Sequence, residues 1–445
     1  MRRFASTFLL VGLASAAAHA DPLDLNGVNA DLSFIAQQAQ KTVTSYLPGS
    51  FPRSDGETGT WRTVGASDWT SGFFSGELWL LYQATGSQQW LTDARNWTAP
   101  LASEATDTST HDVGFIIGES FGNGYRLTGD PTYKSEILMA AGSLATRYSS
   151  TVRAVKSWSF SPWTNQYPVI VDNMMTLGPL QWGAKNGGNA SWGADAANHA
   201  QTTMKYLVRS DGSTYQLANF NPNTGAFLGY YRTGGLSANS VWSRGQAWGL
   251  YGFVQAYQTT GNPSFRITAE NIANYFFSHL PSDYVPYYDF QATATSTTPR
   301  DTSAAAIAAD ALVMLSTIAQ SPGLRTQYLT EGEDILGSLT SNYLATGGNS
   351  EAVLLDGTDS APTQTEVDTA LIFGDYFFTE ALLRLQGVLE GKPGWTLYSW
   401  NRGPVFSSLN AVPEPSTWAM MLLGFAGCSI AGYRASRRDR AVEAE

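Results

Sequence analysis

Two aspartates stand in surroundings that would change the chemistry of a carboxyl group. Asp112 lies in residues 111–115 and Asp172 in residues 170–175, and both segments are otherwise apolar or rich in amides. A carboxylate beside such neighbours loses solvation, so it holds its proton more tightly and can act as a general acid near neutral pH. The alternative is that each aspartate caps a helix, since aspartate is a favoured N-cap residue. The glycine and the helical run after Asp112 favour a helix-capping role for this residue as strongly as a catalytic one.

A third segment, residues 240–250, crowds flat and polar side chains at the start of a predicted helix. Its candidate side chains are Trp242, Arg244, Gln246 and Trp248. An arginine can grip a carboxylate or ring hydroxyls through its forked donors, and a tryptophan gives a face on which a ring can stack. Core packing alone does not explain the arginine and the glutamine. Trp69 opens a similar segment, and aromatic walls with a few polar groups are typical of a sugar-binding pocket.

The composition narrows the class of function. The 445 residues are 43% hydrophobic, which is enough for a large core without disulfides or metals. The formal net charge of -11 argues against nucleic acid as a partner, because phosphate binding requires clustered lysines and arginines. Cys428 is the single cysteine, so an intramolecular disulfide and a thiolate metal cluster are excluded. The four histidines have no metal-binding spacing, and we expect neither a metal nor a cofactor.

The N-terminus has the order of a secretory signal peptide. Arg2 and Arg3 precede an apolar run over residues 8–18, which is followed by the small-residue sequence Ala18-His19-Ala20. We therefore predict a signal peptide over residues 1–20, with cleavage after Ala20. The alternative of a first transmembrane helix is disfavoured because the run is shorter than the ~20 residues that a span needs.

The C-terminus carries a second targeting signal. A Pro-Glu-Pro tripeptide at residues 413–415 is followed by an apolar run over residues 418–433 and then by four arginines. This order resembles the PEP-CTERM sorting tail of Gram-negative bacteria, and an apolar helix followed by arginines is expected to stop in the membrane with its basic end in the cytoplasm. The resemblance predicts a tail over residues 411–445, a short membrane helix before sorting, and a sorting protease of the exosortase type. A plain C-terminal anchor is the alternative, and both place the remaining chain in the periplasm, cell envelope or extracellular space.

Residues 21–410 contain no linker-like segment and are predicted to form one domain. A helix, a short turn and a second helix recur, and the turns carry glycines such as Gly86, Gly129 and Gly261 where helix C-termini favour them. About six pairs fit the length, which predicts an all-α fold, the (α/α)6 barrel, with an open α-solenoid as the alternative. The predicted helices include residues 135–148, 194–208, 264–277, 304–316, 324–342 and 369–385.

Six sequence blocks in order resemble the motif series of the unsaturated glucuronyl hydrolases. They are WTSGFF at 69–74, HDVGF at 111–115, VDNMM at 171–175, HAQTTMKYLVRSDGS at 199–213, VWSRGQAWGLYGF at 241–253 and DTSAAAIAA at 301–309. The resemblance covers nearly the whole predicted domain and implies an (α/α)6 barrel. It also implies the substrate, an oligosaccharide left by a polysaccharide lyase, whose terminal uronic acid carries a C4=C5 double bond.

The resemblance assigns roles to the candidate residues. Asp172 would be the acid and base that protonates C4 and then helps a water molecule add at C5, which makes the reaction an alkene hydration. Asp112 would hold ring hydroxyls and support the charge that develops on the ring. The remaining substrate-binding candidates are Trp69, Trp242 and Trp248 as stacking walls, and His111, Asn173, His199, Arg232, Arg244 and Gln246 as polar contacts.

The sequence departs from the family pattern at three places, and alternatives remain. Residues 237–240 read Ser-Ala-Asn-Ser in place of Ser-Asp-Asp-Ser, Gly234-Gly235 replaces a Gln-Gly pair, and Gln216 replaces a common histidine. These changes concern contacts to the second sugar and to any sulfate on it. One alternative is an unsaturated rhamnogalacturonyl hydrolase acting on pectin fragments, against which HDVGF and VDNMM argue. The other is a surface carbohydrate-binding protein without turnover, against which the presence of both aspartates argues.

Overall fold

Helices make up most of the chain between residues 23 and 392, the part that the computed structural model describes, apart from the side chain of Glu57. They are α1 (Leu25–Ser45), α2 (Ser71–Thr85), α3 (Gln88–Thr98), α4 (Val113–Ile117), α5 (Asn123–Thr128), α6 (Pro131–Ala145), α7 (Gly178–Gly183), α8 (Ser191–Tyr206), α9 (Ser243–Thr260), α10 (Pro263–Ser278), α11 (Thr302–Ile318), α12 (Pro322–Asn342) and α13 (Ile372–Leu389). The described residues all fall within one structural unit, Met1–Pro404.

The helices form two concentric layers. Helices α2, α9, α11 and α13 are buried almost all round, as an inner layer must be. Two broken helices complete that layer: α4 and α5 joined by the π-helical Gly118–Gly122, and the 3-10 helix Val171–Leu177 that continues into α7. Helices α3, α6, α8, α10 and α12 bury mainly one face and form the outer layer. Because the last inner helix, α13, packs against the first, α2, and also against α1, the ring closes, which confirms the (α/α)6 barrel and rules out the open solenoid.

The turns between paired helices follow the sequence signals. Gly129 and Gly261 end their helices with φ of 68° and 71°, a left-handed conformation that glycine adopts without the steric penalty of a Cβ atom. Asp130 and Asn262 then cap the next helix, each accepting from a backbone N–H two residues on. This repeated turn reverses the chain, so the inner helices all run in the same direction.

Three small antiparallel sheets, which the helical periodicity did not predict, sit on the barrel. They pair β1 (Phe51–Ser54) with β2 (Arg62–Val64), β3 (Tyr148–Ser149) with β4 (Ala154–Val155), and β5 (Tyr167–Ile170) with β6 (Leu217–Phe220) and β7 (Phe227–Tyr231). In the three-stranded sheet, Tyr167 pairs with Phe220, and Leu217 pairs with Tyr231. Strand β5 runs directly into the segment that carries Asp172, so the sheet sets the position of that aspartate.

Both predicted targeting segments, residues 1–20 and 411–445, lie outside the described residues, as does the predicted domain boundary at residue 410. Between residues 23 and 392, none of the helices combines the length and the apolar character needed to cross a membrane.

Candidate active site

A cavity of about 210 Å³ opens where the inner helices begin. Its lining comes from the start of α2, α4, α9 and the 3-10 helix, and from loops far apart in sequence. The lining residues are Trp69, Asp112, Phe115, Trp158, Ile170, Asp172, Thr233, Gly234, Trp242, Arg244, Trp248, Asp359 and Ser360. Six of the predicted site residues therefore meet in one place, including both aspartates. Within residues 23–392, no group of three or more His, Cys, Asp or Glu side chains is placed to hold a metal ion.

Asp172 lines the cavity and has a carboxyl oxygen without a hydrogen-bond partner among the described residues. Backbone N–H of Val171 donates to the carbonyl of Gln216 at 2.9 Å, which fixes the chain just before the aspartate. The Oδ1 atom of Asp172 is buried and has no hydrogen-bond partner among the described residues. Burial raises its pKa to about 7, against the lowering effect of Arg244, while the charges of Asp112 and Asp359 add to the rise. The carboxyl group is therefore substantially protonated near neutral pH.

Asp112 is held by its neighbours and does not cap α4. Its Oδ2 accepts from Thr110 Oγ1 at 2.5 Å and from Trp158 Nε1 at 3.4 Å, and its Oδ1 lies 3.4 Å from His111 Nε2. Although Asp112 occupies the N-cap position, its side chain accepts no backbone N–H there. The capping interpretation is wrong for this side chain, which turns toward the cavity.

Arg244 is pinned in the cavity wall. Its Nη1 contacts Asp301 Oδ2 at 3.2 Å, and its Nη2 donates to Asp359 Oδ1 at 2.8 Å. The guanidinium also lies over the ring of Trp242, 4.8 Å from its centroid. Two carboxylates thus hold the cation in a fixed position, from which it lowers the pKa of Asp172.

Asp359 ties a second arginine to the same wall. Its Oδ2 lies 3.3 Å from Nη2 of Arg53, whose remaining donors reach Asp68 at 2.8 Å and Glu366 at 2.9 Å. The chain around Asp359 includes residues with positive φ, such as Gln364 at 53° and Glu366 at 48°. A non-glycine residue holds that conformation only when its surroundings fix it; here Arg53 contacts Glu366, and the amide of Gln364 donates to the carbonyl of Ala361 at 2.7 Å.

The tryptophan walls are backed by other aromatic rings. Trp69 packs against Phe373 with ring centroids 4.8 Å apart, and Trp248 packs against Phe115 at 5.4 Å and Phe377 at 5.2 Å. These contacts remove rotamer freedom from the walls before any ligand binds. The Nε1 of Trp242 is buried without a hydrogen-bond partner in the part of the chain that the structure describes.

Three predicted polar contacts lie behind the cavity rather than in its lining. His111 Nδ1 hydrogen-bonds the carbonyl of Ser157 at 3.1 Å, Asn173 Nδ2 donates to the carbonyl of Val155 at 2.7 Å, and His199 Nδ1 accepts from Val155 N–H at 2.9 Å. Burial lowers the pKa of His111 and lowers that of His199 to about 3, so both rings are neutral. All three side chains hold residues 155–157, the segment that delivers Trp158 to the cavity.

Two further candidates are also outside the lining. Gln246 is fully buried, and its amide accepts from Thr214 N–H at 2.8 Å and donates to the carbonyls of Gly212 at 2.8 Å and Ile272 at 3.2 Å. These bonds explain the glutamine without a ligand. Arg232 is exposed and precedes the lining residue Thr233, which places it on the rim.

The three departures from the family pattern converge on one loop of the wall. Gln216 Oε1 accepts from Thr233 and Gly235 N–H at 2.8 and 3.0 Å, and its Nε2 donates to the carbonyl of Ser237 at 2.8 Å. Gly234 lies so close to Trp242 that an added Cβ would come within 2.6 Å of the indole ring. Gln216 therefore binds the backbone of a loop whose residues at 234 and 235 are both small.

Seven lining residues were not among the predicted ones. Phe115 and Ile170 belong to or adjoin the recognised blocks, whereas Trp158, Thr233, Gly234, Asp359 and Ser360 lie outside them. Trp158 and Asp359 reach the cavity from loops whose positions helical periodicity does not predict. The Gly234-Gly235 departure was the one sequence signal at this wall.

Comparison with known proteins agrees with this architecture. An unsaturated glucuronyl hydrolase from Formosa agariphila is 37% identical over 73% of this chain and 82% of its own length. An unsaturated chondroitin disaccharide hydrolase from Streptococcus agalactiae is 28% identical over 79% and 88%. The crystal structure of an unsaturated glucuronyl hydrolase specific for heparin superposes with a TM-score of 0.78 at 36% identity, covering 82% of this chain and 98% of the other.

Two family models match different parts of the sequence. The PEP-CTERM protein-sorting motif matches residues 411–438, which confirms the resemblance of the tail. The model of Glycosyl Hydrolase Family 88 matches residues 41–313, the region that supplies Asp112, Asp172 and Arg244. The match confirms the resemblance to the unsaturated glucuronyl hydrolases, and the chain belongs to Glycosyl Hydrolase Family 88.

Proposed function

We propose that this chain removes a terminal 4,5-unsaturated uronic acid from oligosaccharides by hydrating the C4=C5 double bond, with Asp172 as acid and base. The observation that carries the proposal is the Oδ1 atom of Asp172. It is buried, has no partner between residues 23 and 392, and belongs to a carboxyl group with a pKa of about 7 in an aromatic-walled cavity. The cavity volume is below the roughly 300–1,000 Å³ of pockets that enclose drug-sized ligands, which suits a single sugar ring.

The chemistry follows from that protonation state. Neutral Asp172 gives its proton to C4 of the vinyl ether, and positive charge develops at C5 and the ring oxygen. The resulting carboxylate then takes a proton from a water molecule whose oxygen adds at C5. The C5 hemiketal opens to a ketone, C1 becomes a hemiacetal carbon, and its collapse releases the next sugar as an alcohol. One water molecule is consumed, and Asp172 returns to its neutral form.

The other lining residues would support this reaction. Asp112, held by Thr110 and Trp158, is placed to accept hydrogen bonds from ring hydroxyls and to stabilise the charge that develops on the ring. Trp69 and Trp248 are the rigid stacking walls, and Trp242 lines the same cavity. The roles of His111, Asn173, His199 and Gln246 are to position the wall, since each of them makes at least one side-chain hydrogen bond to the backbone.

The substrate class rests on the relatives. They are named for unsaturated glucuronyl groups, for chondroitin disaccharides and for heparin, so the common feature is an unsaturated uronic acid at the end of the chain. These names favour uronyl oligosaccharides over the pectin fragments of the rhamnogalacturonyl alternative. We also propose that residues 1–20 direct export and that residues 411–445 hold the protein in the membrane until an exosortase-type protease acts, which places the barrel in the periplasm or cell envelope or outside the cell.

The test uses an unsaturated disaccharide from a polysaccharide lyase and the same disaccharide after reduction of its double bond. We expect the enzyme to abolish the absorbance of the conjugated double bond and to release the second sugar, while the reduced disaccharide remains intact. In D₂O, deuterium should appear at C4 of the product. Equal cleavage of both disaccharides, or a product without deuterium at C4, would contradict the proposal and indicate an ordinary glycosidase.

A further inference from the structure

An exposed row of aromatic rings borders the cavity. This aromatic strip consists of Trp158, Phe160, Trp163 and Tyr231. Trp158 lines the cavity, whereas Phe160 is 55% exposed and Tyr231 is 40% exposed. Exposure of large aromatic rings side by side has an energetic cost in water, so such a row calls for an explanation.

The strip adjoins the cavity through Trp158, and a backbone hydrogen bond between Trp163 and Phe160 joins its two ring pairs. The rings of Trp158 and Phe160 lie 6.1 Å apart with a tilt of 39°, and those of Trp163 and Tyr231 lie 5.3 Å apart, nearly perpendicular. At the other end, Tyr231 is two residues before Thr233, which lines the cavity. A sugar chain that leaves the cavity past Trp158 would therefore meet Phe160 next.

The strip is held in place without a ligand. Backbone N–H of Trp163 donates to the carbonyl of Phe160 at 2.8 Å, and Ser159 N–H donates to the carbonyl of Ser109 at 3.0 Å. Tyr231 belongs to β7 and pairs with Leu217 of the neighbouring strand. A surface whose backbone is already fixed loses little conformational entropy when it binds.

We propose that the aromatic strip binds the third and later sugars of an oligosaccharide whose unsaturated end occupies the cavity. This inference rests on the proposed function and makes chains longer than a disaccharide the preferred substrates. The small cavity takes one ring, so the rest of a longer substrate must cross the surrounding surface. Flat aromatic faces suit the C–H faces of sugar rings.

The size of the strip argues against a protein as its occupant. A fully buried aromatic side chain covers roughly 150–250 Å², so four rings that are only partly exposed present a few hundred Å² at most. A stable protein interface needs about 800 Å² from each partner. A second copy of this chain, or its own residues 393–445, would therefore need a much larger contact than the strip supplies.

The experiment compares an unsaturated disaccharide with an unsaturated tetrasaccharide of the same repeating unit. The variants are Trp163→Ala and Phe160→Ala, with Leu228→Ala as the control, since Leu228 is 53% exposed on β7, the strand that also carries Tyr231. We expect KM for the tetrasaccharide to rise about fivefold to tenfold in each aromatic variant, the effect of truncating one aromatic contact. The kinetic constants for the disaccharide and those of the control should stay at wild-type values.

The outcomes separate this inference from the proposed function. Turnover of the disaccharide supports the function whatever the strip does. Equal loss on both substrates, or no loss on either, would overturn the strip as a sugar site. A change of oligomeric state in sedimentation, without a change of KM for the tetrasaccharide, would instead assign the strip to a contact between chains. If the wild type turned over neither saccharide, the proposed function and the strip would be overturned together.

Discussion

The pKa of Asp172 predicts how activity falls at alkaline pH. Burial raises this pKa from 3.8 to about 7, which corresponds to about 4 kcal/mol of destabilisation of the ionised carboxylate. Because the first step needs the neutral acid, the active fraction of the enzyme declines as pH rises through the pKa. We expect kcat/KM to fall about tenfold for each pH unit above pH 7, with the slope of a single ionisation.

Asp359→Asn sharpens this test. The charge of Asp359 raises the pKa of Asp172, and its loss also removes one of the two carboxylates that offset the charge of Arg244, the cation that lowers that pKa. Both effects have the same sign, so the alkaline fall of kcat/KM should move to lower pH in this variant. The assay is the initial rate of loss of double-bond absorbance over a range of pH, with Asp195→Asn on the outer helix α8 as the control. A wild-type rate that stays flat to pH 9, or a fall in Asp359→Asn that moves to higher pH, would refute the reasoning.

Two further substitutions test the division between reacting and supporting residues. Asp112→Asn should lower kcat/KM about 10²- to 10³-fold, the usual cost of removing one group that stabilises the transition state. The thermal unfolding midpoint should stay nearly unchanged, because this side chain caps no helix. A mild kinetic effect would contradict a role for Asp112 in the reaction. Gln246→Ala should lower the free energy of unfolding by about 2 kcal/mol, because three buried backbone groups lose their hydrogen-bond partner, while KM stays at its wild-type value. Denaturant unfolding measures the free energy, and steady-state kinetics measure KM. A raised KM without destabilisation would instead make Gln246 a substrate contact.

The barrel could be predicted because its signals are local. Inner helices are apolar all round, outer helices have one apolar face, and the turns at Gly129 and Gly261 use residues that suit a helix end and the next helix start. The sheet formed by β5, β6 and β7 was missed because its strands are short and lie between helical patterns. Its consequence is large, since that sheet delivers Asp172 to the cavity.

The site could be predicted only in part, because a motif names residue types but not their partners. Asp172 and Arg244 reach the cavity, whereas Nδ1 of His199 and the side-chain amide of Gln246, from the same motif series, bond to backbone groups. Trp158 and Asp359 come from loops outside the motifs, and their positions depend on distant contacts such as that between Asp359 and Arg53. No periodicity in the sequence encodes such contacts.

The central claim is that Asp172 supplies the proton, and Asp172→Asn tests it most directly. The asparagine keeps the shape of the side chain but has no acidic proton to give. Saturation binding of the disaccharide with a reduced double bond, which the wild type leaves intact, followed by tryptophan fluorescence, should give similar Kd values for variant and wild type, because Trp69, Trp242 and Trp248 remain in place, and saturation binding of the unsaturated disaccharide to the variant gives the complex for kinetics. Single-turnover conversion of the unsaturated disaccharide by the variant should be slower than by the wild type by about 10⁴-fold. A variant that binds the disaccharide and converts it at a rate near that of the wild type would contradict the account.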